Sequence, residues 1–241
     1  MAKFATKLVE RTEVAEGTTA FIFERPAGFD FTAGQFMTLV LPKPLHTDAE
    51  GNRRVFSIAS PPQETGTLWV ATRMTGTALK RSLAEMPLGT PVELAGPAGS
   101  FTLHSDLSQP AVFIAGGIGI TPFRSLVQDA VHRHLPHQIT LIYSNRTPEG
   151  AAFQEEFAQL AQTYRQFTYL PTMTQPDKSR QPWDGERRYV NADFLRSYIK
   201  DIATPIFYLA GPPGLVTGIA KVVIEAGVDP AHVRCEEFTG Y

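Results

Sequence analysis

The chain has 241 residues, 43% hydrophobic and 19% charged, with a formal net charge of -2. That is enough apolar material for one or two packed domains, and the slightly acidic balance argues against nucleic acid as a partner, which usually meets a strongly basic surface. The single cysteine, Cys235, excludes an intrachain disulfide framework and any iron–sulfur cluster held by the chain's own thiolates.

In chain order, Lys3–Val9, Thr18–Glu24, Gln35–Leu41, Arg53–Ala59, Thr67–Met74 and Thr90–Leu94 read as short strands rich in β-branched and aromatic residues. Gly17, Pro26, Gly34, Pro42, Gly51, Pro61, Gly66 and Pro97 punctuate them, which suggests an antiparallel barrel or sandwich. One helical insert is expected over Thr77–Glu85. The segment His104–Pro110 is polar, ends in proline and divides the chain into expected domains 1–105 and 106–241.

Beyond it the pattern alternates. Val112–Ala115 is a continuous apolar run, followed by Phe123, Leu126, Val127, Ala130 and Val131 at helical spacing. Ile139–Tyr143, Phe167–Leu170 and Ile206–Ala210 are further strands. Helical faces carry Phe153, Phe157, Leu160, Ala161 and Tyr164, then Leu215, Val216, Ile219, Val222 and Val223. Strands apolar on both faces between amphipathic helices imply a doubly wound parallel sheet. The opening MAKFATKLVE has no apolar signal core and no apolar run of about eighteen residues occurs, so a cytoplasmic location without a membrane partner is expected.

Gly116-Gly117-Ile118-Gly119-Ile120-Thr121-Pro122 lies between a buried strand and an amphipathic helix. Glycines let the backbone turn tightly, Thr121 is a good N-cap, and Pro122 suits the first helical position, so the free N–H groups would face an anion. The next strand ends in Ser144, Asn145 and Arg146 where an NAD site usually carries an acidic residue; these side chains suit a 2′-phosphate and lean toward NADPH. Gly211-Pro212-Pro213 forms a second turn at a strand's carboxyl end. In the first half, Arg54 and Phe56 share one strand face and Val55 and Ser57 the other, while Arg73 precedes Gly76, Thr77 and Ala78 at the start of a short helix. An arginine beside an aromatic, with a helix N-terminus nearby, suits a ligand that combines phosphate with a flat ring.

Together these segments resemble the ferredoxin–NADP reductase superfamily over essentially the whole chain. Arg54-Val55-Phe56-Ser57 resembles its R-x-[YF]-S flavin motif and Gly76-Thr77 its pyrophosphate segment, with shorter spacing. The Gly116–Pro122 run resembles its G-G-x-G-x-[TS]-P, Gly211-Pro212-Pro213 its C-G-P-P turn, and Glu236-Glu237-Phe238 its C-terminal E-x-aromatic. The resemblance implies an FAD-binding barrel, a nicotinamide-nucleotide domain and hydride transfer from NADPH or NADH to flavin N5, with electrons passed to a carrier such as ferredoxin or flavodoxin. It implies that Arg54, Val55, Phe56, Ser57, Arg73, Gly76, Thr77 and Ala78 hold FAD, with Phe238 or Tyr241 covering it. Gly116, Gly117, Gly119, Ile120, Thr121, Pro122, Ser144, Asn145, Arg146, Gly211, Pro212 and Pro213 would hold the nicotinamide nucleotide. Ser57 would support N5, and Glu236 would assist by hydrogen bonding or proton relay. The motif's cysteine is replaced by Ala210.

A flavin reductase that releases its flavin, the reductase component of a multi-component oxygenase, an accessory electron-transfer subunit and a non-catalytic nucleotide sensor are the rival readings. The six histidines show no metal-ligand spacing. Cys235 is expected to be a packed small side chain. Arg53, Lys80, Arg81, Arg187 and Arg188 are candidates for docking an acidic carrier, and Leu170–Gly185 reads as a long loop beside the cleft.

Overall fold

Alternating apolar and polar residues build the first sheet. In the computed structural model, which describes residues 2–239, β1 (Lys3–Ala15), β2 (Thr18–Glu24), β3 (Phe36–Val40), β4 (Arg53–Ser57), β5 (Thr67–Arg73) and β6 (Pro91–Ala98) are antiparallel, in the order β4-β3-β6-β1-β2-β5. The two end strands meet just past β4, where the Ala59 N–H donates to Trp69 O at 2.8 Å, so the sheet curls into a barrel. Phe21, Phe23, Met37, Leu39, Val70 and Leu94 fill it, and α1 (Ala78–Glu85) packs Leu79 and Leu83 onto the same core. β1 runs six residues beyond the expected Val9. It pairs with β6 over residues 3–7 and with β2 from Leu8, with a register shift at the handover. Such an irregularity re-aims a strand, and the charged residues on its outer side conceal the period.

The second sheet is parallel. It contains β7 (Ala111–Gly116), β8 (Ile139–Asn145), β9 (Phe167–Met173), β10 (Ile206–Gly211) and β11 (Val233–Glu237), in the order β11-β10-β7-β8-β9. α2 (Ile120–His132) and α3 (Gln154–Thr163) follow β7 and β8; α4 (Ala192–Tyr198) and α5 (Pro213–Glu225) flank β10 in sequence. Every residue of β7 and β10 is buried. Phe113 and Ala115 pack into the cluster that holds Phe123 and Phe157; Val112 and Ile114 pack into the cluster that holds Phe194 and Val216. The sheet is thus covered on both faces.

Two elements lacked a sequence signal. α4 has seven residues, too few to display a period, and is started by Asn191, whose side chain accepts the Phe194 N–H at 2.8 Å. β11 has the sequence VRCEE. As an edge strand it needs no apolar run, because its backbone pairs with β10 while its outer side meets water. Pro171 is tolerated in β9 for a related reason, since that strand is the opposite edge.

The two halves share one core. Phe21 and Phe23 of β2 point into the barrel, whereas Ala20 and Ile22 join Phe101, Phe113 and Phe123 on the other side. The polar linker is fastened down rather than free. His104 is buried, its Nδ1 lies 2.9 Å from Tyr208 Oη, and its carbonyl accepts the His137 Nε2 proton at 2.8 Å. No helix among the described residues is long and apolar enough to cross a membrane.

Candidate active site

β7 leads to β8 on one side and β10 lies on the other, so the chain turns in opposite directions after these two central strands. Ligands bind in the crevice that opens at such a switch point. Here the crevice is framed by a 3₁₀ turn, Gly117–Gly119, and by Gly211-Pro212-Pro213. Gly117 has φ +53°. Gly119 is required by packing, because a Cβ there would stand 2.3 Å from Ala210 O. The two turns therefore touch backbone to backbone.

The expected cap is different. Gly119 precedes α2, and Thr121 is the helix's second residue, with its hydroxyl donating to Ile118 O at 3.1 Å. Pro122 is the third helical residue rather than the first. It is accommodated because the first four N–H groups of a helix have no internal acceptor. No side chain caps α2.

From the switch point a cleft of about 1290 Å³ extends past Gly116, Ser144, Asn145, Arg146, Gly150 and Leu215. Pro212 also lines it, but Thr121 and Pro122 lie behind the wall. The buried Asn145 amide lines the cleft without a hydrogen bond of normal geometry; the Tyr143 hydroxyl lies behind it, and burial pushes the Tyr143 pKa up. An orphaned amide on a cleft wall fits a polar ligand. Arg73 reaches into this cleft. Its Nη2 donates to Gly150 O at 3.3 Å and lies beside Gly117.

The sequence reading missed several lining residues. Glu149 accepts Ser179 Oγ–H at 2.8 Å, Arg180 N–H at 2.6 Å and Gln181 N–H at 3.1 Å. Its own backbone N–H holds the carboxyl down at about 2; desolvation is the next largest effect and opposes it, and Ser179, Arg180 and Thr147 add to the lowering. Glu16 pairs with Arg180 at 2.7 Å across the domain boundary. The expected long loop is therefore strand to Met173 and then tethered at the cleft, with Lys178 and Tyr189 on its rim.

The barrel carries a second anion cradle. Thr77 precedes α1 but makes no side-chain cap; the Ala78 N–H is taken instead by Asp48 Oδ2 at 2.9 Å. Asp48 Oδ1 lies 3.8 Å from Arg54, which also pairs with Glu50. A carboxylate thus stands where Arg54 and a helix N-terminus converge, which is the chemistry of a phosphate site. Gly76 has open space around it. Along β4, Phe56 is buried in the barrel core, while Val55 is 60% exposed.

At the end of β4, Ser57 meets the C-terminal strand. Ser57 Oγ and Glu236 Oε2 are both buried and face each other, with no hydrogen bond of normal geometry to any other group. Burial pushes the Glu236 carboxyl up to about 7, and the Ser57 hydroxyl works in the opposite direction. Phe238 is anchored by its N–H to Gly211 O at 2.9 Å and packs on the shared core. Tyr241 lies outside the described residues.

Two further expectations change. Cys235 is exposed rather than packed, since β11 is an edge strand; partial desolvation and the neighbouring Glu237 push its thiol up. Lys80 is buried and donates to Thr75 Oγ1, and Arg81 donates to His46. Arg187 pairs with Asp177 and Arg188 with Glu186, and both cations stay about half exposed.

The family model of the oxidoreductase FAD-binding domain matches residues 5–103, and that of the oxidoreductase NAD-binding domain matches residues 113–221. The chain is 27% identical over 239 residues to reductase component 1 of terephthalate 1,2-dioxygenase from Comamonas sp, covering 98% of this chain and 68% of that protein. It covers 65% of the corresponding component 2, so it spans about two thirds of these relatives. Identity to ferredoxin–NADP reductase B of Sorangium cellulosum is 28% over 245 residues, covering 98% and 97% of the two chains. Among solved structures, a ferredoxin NADP+ reductase from Neisseria gonorrhoeae with bound FAD and NADP superposes with a TM-score of 0.80 at 20% identity, covering 98% and 99%. The flavohem-like FAD/NAD binding domain of nitric oxide dioxygenase from Vibrio cholerae gives 0.84 at 21% identity, covering 97% and 98%.

Proposed function

The chain belongs to the ferredoxin–NADP reductase superfamily, and on that premise we propose that it is a cytoplasmic FAD-dependent reductase that draws hydride from NAD(P)H and supplies electrons to ferredoxin, flavodoxin or a similar carrier. The observation that carries this reading is the meeting of Ser57 and Glu236. One is on the barrel and the other on the last strand of the nucleotide domain, and their buried polar atoms face each other with no other hydrogen-bond partner.

Bound FAD would supply a hydride acceptor at N5 and release electrons singly. The residues present fit that group. Arg54 and the α1 N-terminus already hold a carboxylate and would hold its pyrophosphate in the same way. Val55, with its exposed side chain, offers apolar surface on the strand that carries Ser57. Ser57 provides a hydroxyl at the barrel's edge, and Glu236, near neutrality in its pKa, can hold or yield a proton beside it. Gly117, Arg73, Asn145 and the second glycine turn would receive the nicotinamide nucleotide, with Arg146 and Lys178 available to a 2′-phosphate. Phe238 follows directly on Glu236 and Glu237 and is held to β10 by its N–H donating to Gly211 O, which ties the C-terminal segment to the second glycine turn.

A stopped-flow series tests the reading. The FAD-loaded protein is mixed with NADPH and then NADH, and flavin bleaching is followed by reoxidation with candidate carriers. Rapid bleaching and carrier-dependent recovery are expected; a folded protein that takes up FAD but is not bleached by either nucleotide would refute it. The likeness to the terephthalate dioxygenase reductase components supports a second reading, service to an oxygenase. Recovery with an oxygenase-type iron–sulfur carrier alone would select it.

A further inference from the structure

We propose that Arg124 is a positioning residue that sets the distance between the flavin and nicotinamide sites, an inference that rests on the reductase reading above. α2 begins at the nucleotide turn, and Arg124 is its fifth residue. The side chain is 8% exposed. Its Nη1 donates to Ala59 O at 2.9 Å, two residues beyond Ser57, and its Nε donates to Glu156 Oε2 at 2.9 Å. The guanidinium carbon lies 4.8 Å from the ring centroids of both Trp69 and Phe153. The next residue repeats the attachment, since Ser125 Oγ donates to Ser60 O at 2.7 Å.

The barrel side of this joint is itself fixed. The Ile58 N–H donates to Gln35 O at 3.0 Å and the Ala59 N–H to Trp69 O at 2.8 Å. One helix therefore starts at the nucleotide turn and is bolted to the extension of the strand that ends in Ser57. On the other side, Phe153 adopts φ +61°, a left-handed conformation that a bulky residue rarely takes. That strained backbone presents its ring to the guanidinium. Strain of this kind persists where the surroundings impose it, and it concentrates at functional sites.

Stability alone does not account for the arrangement. Pairing a buried cation with a half-buried carboxylate is a weak source of stability, and an apolar side chain would fill the gap between two aromatic rings as well. What an apolar side chain cannot do is fix the direction and separation of a backbone carbonyl, because hydrophobic contact has no directionality and a hydrogen bond does. Hydride transfer is sensitive to such placement, with a displacement of about 1 Å able to cost roughly a hundredfold in rate.

The test compares Arg124→Met and Arg124→Lys with the wild type, each loaded with FAD. The limiting rate of flavin bleaching, nucleotide affinity and the nicotinamide–flavin charge-transfer absorbance are measured, along with deuterium exchange at residues 58–60 in the flavin-free chain. Arg124→Met is expected to lower the limiting rate about tenfold or more while nucleotide affinity changes less than about threefold. The charge-transfer band should weaken and exchange at 58–60 should rise, with Arg124→Lys restoring part of each through its single donor. A wild-type rate and band in Arg124→Met, or a rate loss matched by loss of FAD or nucleotide binding, would overturn the proposal. If Arg124→Met does not fold, Ser125→Ala decides: a drop of about threefold in the limiting rate supports the joint, and no change removes it. Failure of the wild type itself to bleach would refute the reductase reading instead.

Discussion

The Asp48 carboxylate caps α1 by accepting the Ala78 N–H at 2.9 Å, and its other oxygen stands 3.8 Å from Arg54. A cofactor pyrophosphate and this carboxylate need the same donors, so one must displace the other. Asp48→Ala should weaken the flavin-free fold by about 1 kcal/mol through loss of the cap. It should also tighten FAD binding by about fivefold, since the competing anion is gone. Quenching of flavin fluorescence on titration measures the second effect and chemical denaturation the first; unchanged FAD affinity would separate Asp48 from the cofactor site.

Ser57 and Glu236 predict separate phenotypes. Ser57→Ala should leave FAD bound yet slow its reduction by roughly tenfold. Glu236→Gln bears on pH. Burial raises the carboxyl from its usual 4.5 to about 7, so between those values the folded chain keeps a proton that the unfolded chain has released. Folding stability therefore falls as pH rises through that window, by on the order of 3 kcal/mol in all. Denaturation curves at pH 5 and pH 8 should show this fall in the wild type and lack it in Glu236→Gln.

Gly119 tests the contact between the turns. Its substitution by alanine sets a Cβ 2.3 Å from Ala210 O. The turns must part, at a cost of about 1–3 kcal/mol, and nucleotide affinity should fall. FAD binding, which depends on the barrel, should persist. Parallel titrations with FAD and NADP+ distinguish the two sites, and equal losses of both would contradict this division.

Arg146 is exposed on the cleft rim and has no partner among the described residues. Arg146→Ala should raise the KM for NADPH about tenfold through loss of a charge-assisted hydrogen bond, with little change for NADH. Equal effects on both nucleotides would place the 2′-phosphate elsewhere.

The two-part architecture was legible in the residues because each sheet declares its environment locally. Phe21 and Phe23 alternate with neighbours that face another core, and Val112–Ala115 is apolar throughout because β7 is covered on both sides. The motif glycines and the Arg54–Ser57 strand were equally visible, since special turns and alternating faces depend on residues adjacent in sequence. Contacts between distant segments were not visible. Nothing near Asp48 signals that it caps a helix thirty residues on. VRCEE does not read as a strand until β10 offers it an open edge, and Arg124 looks like an ordinary helix cation until Trp69, Phe153 and Ala59 enclose it. Local chemistry therefore determined which ligands this chain is built to hold, whereas the burial that raises Glu236 and the Arg124 bond to Ala59 O exist only once the two sheets pack. Desolvation and directed hydrogen bonds are properties of assembled surroundings and are not carried by any single stretch of residues.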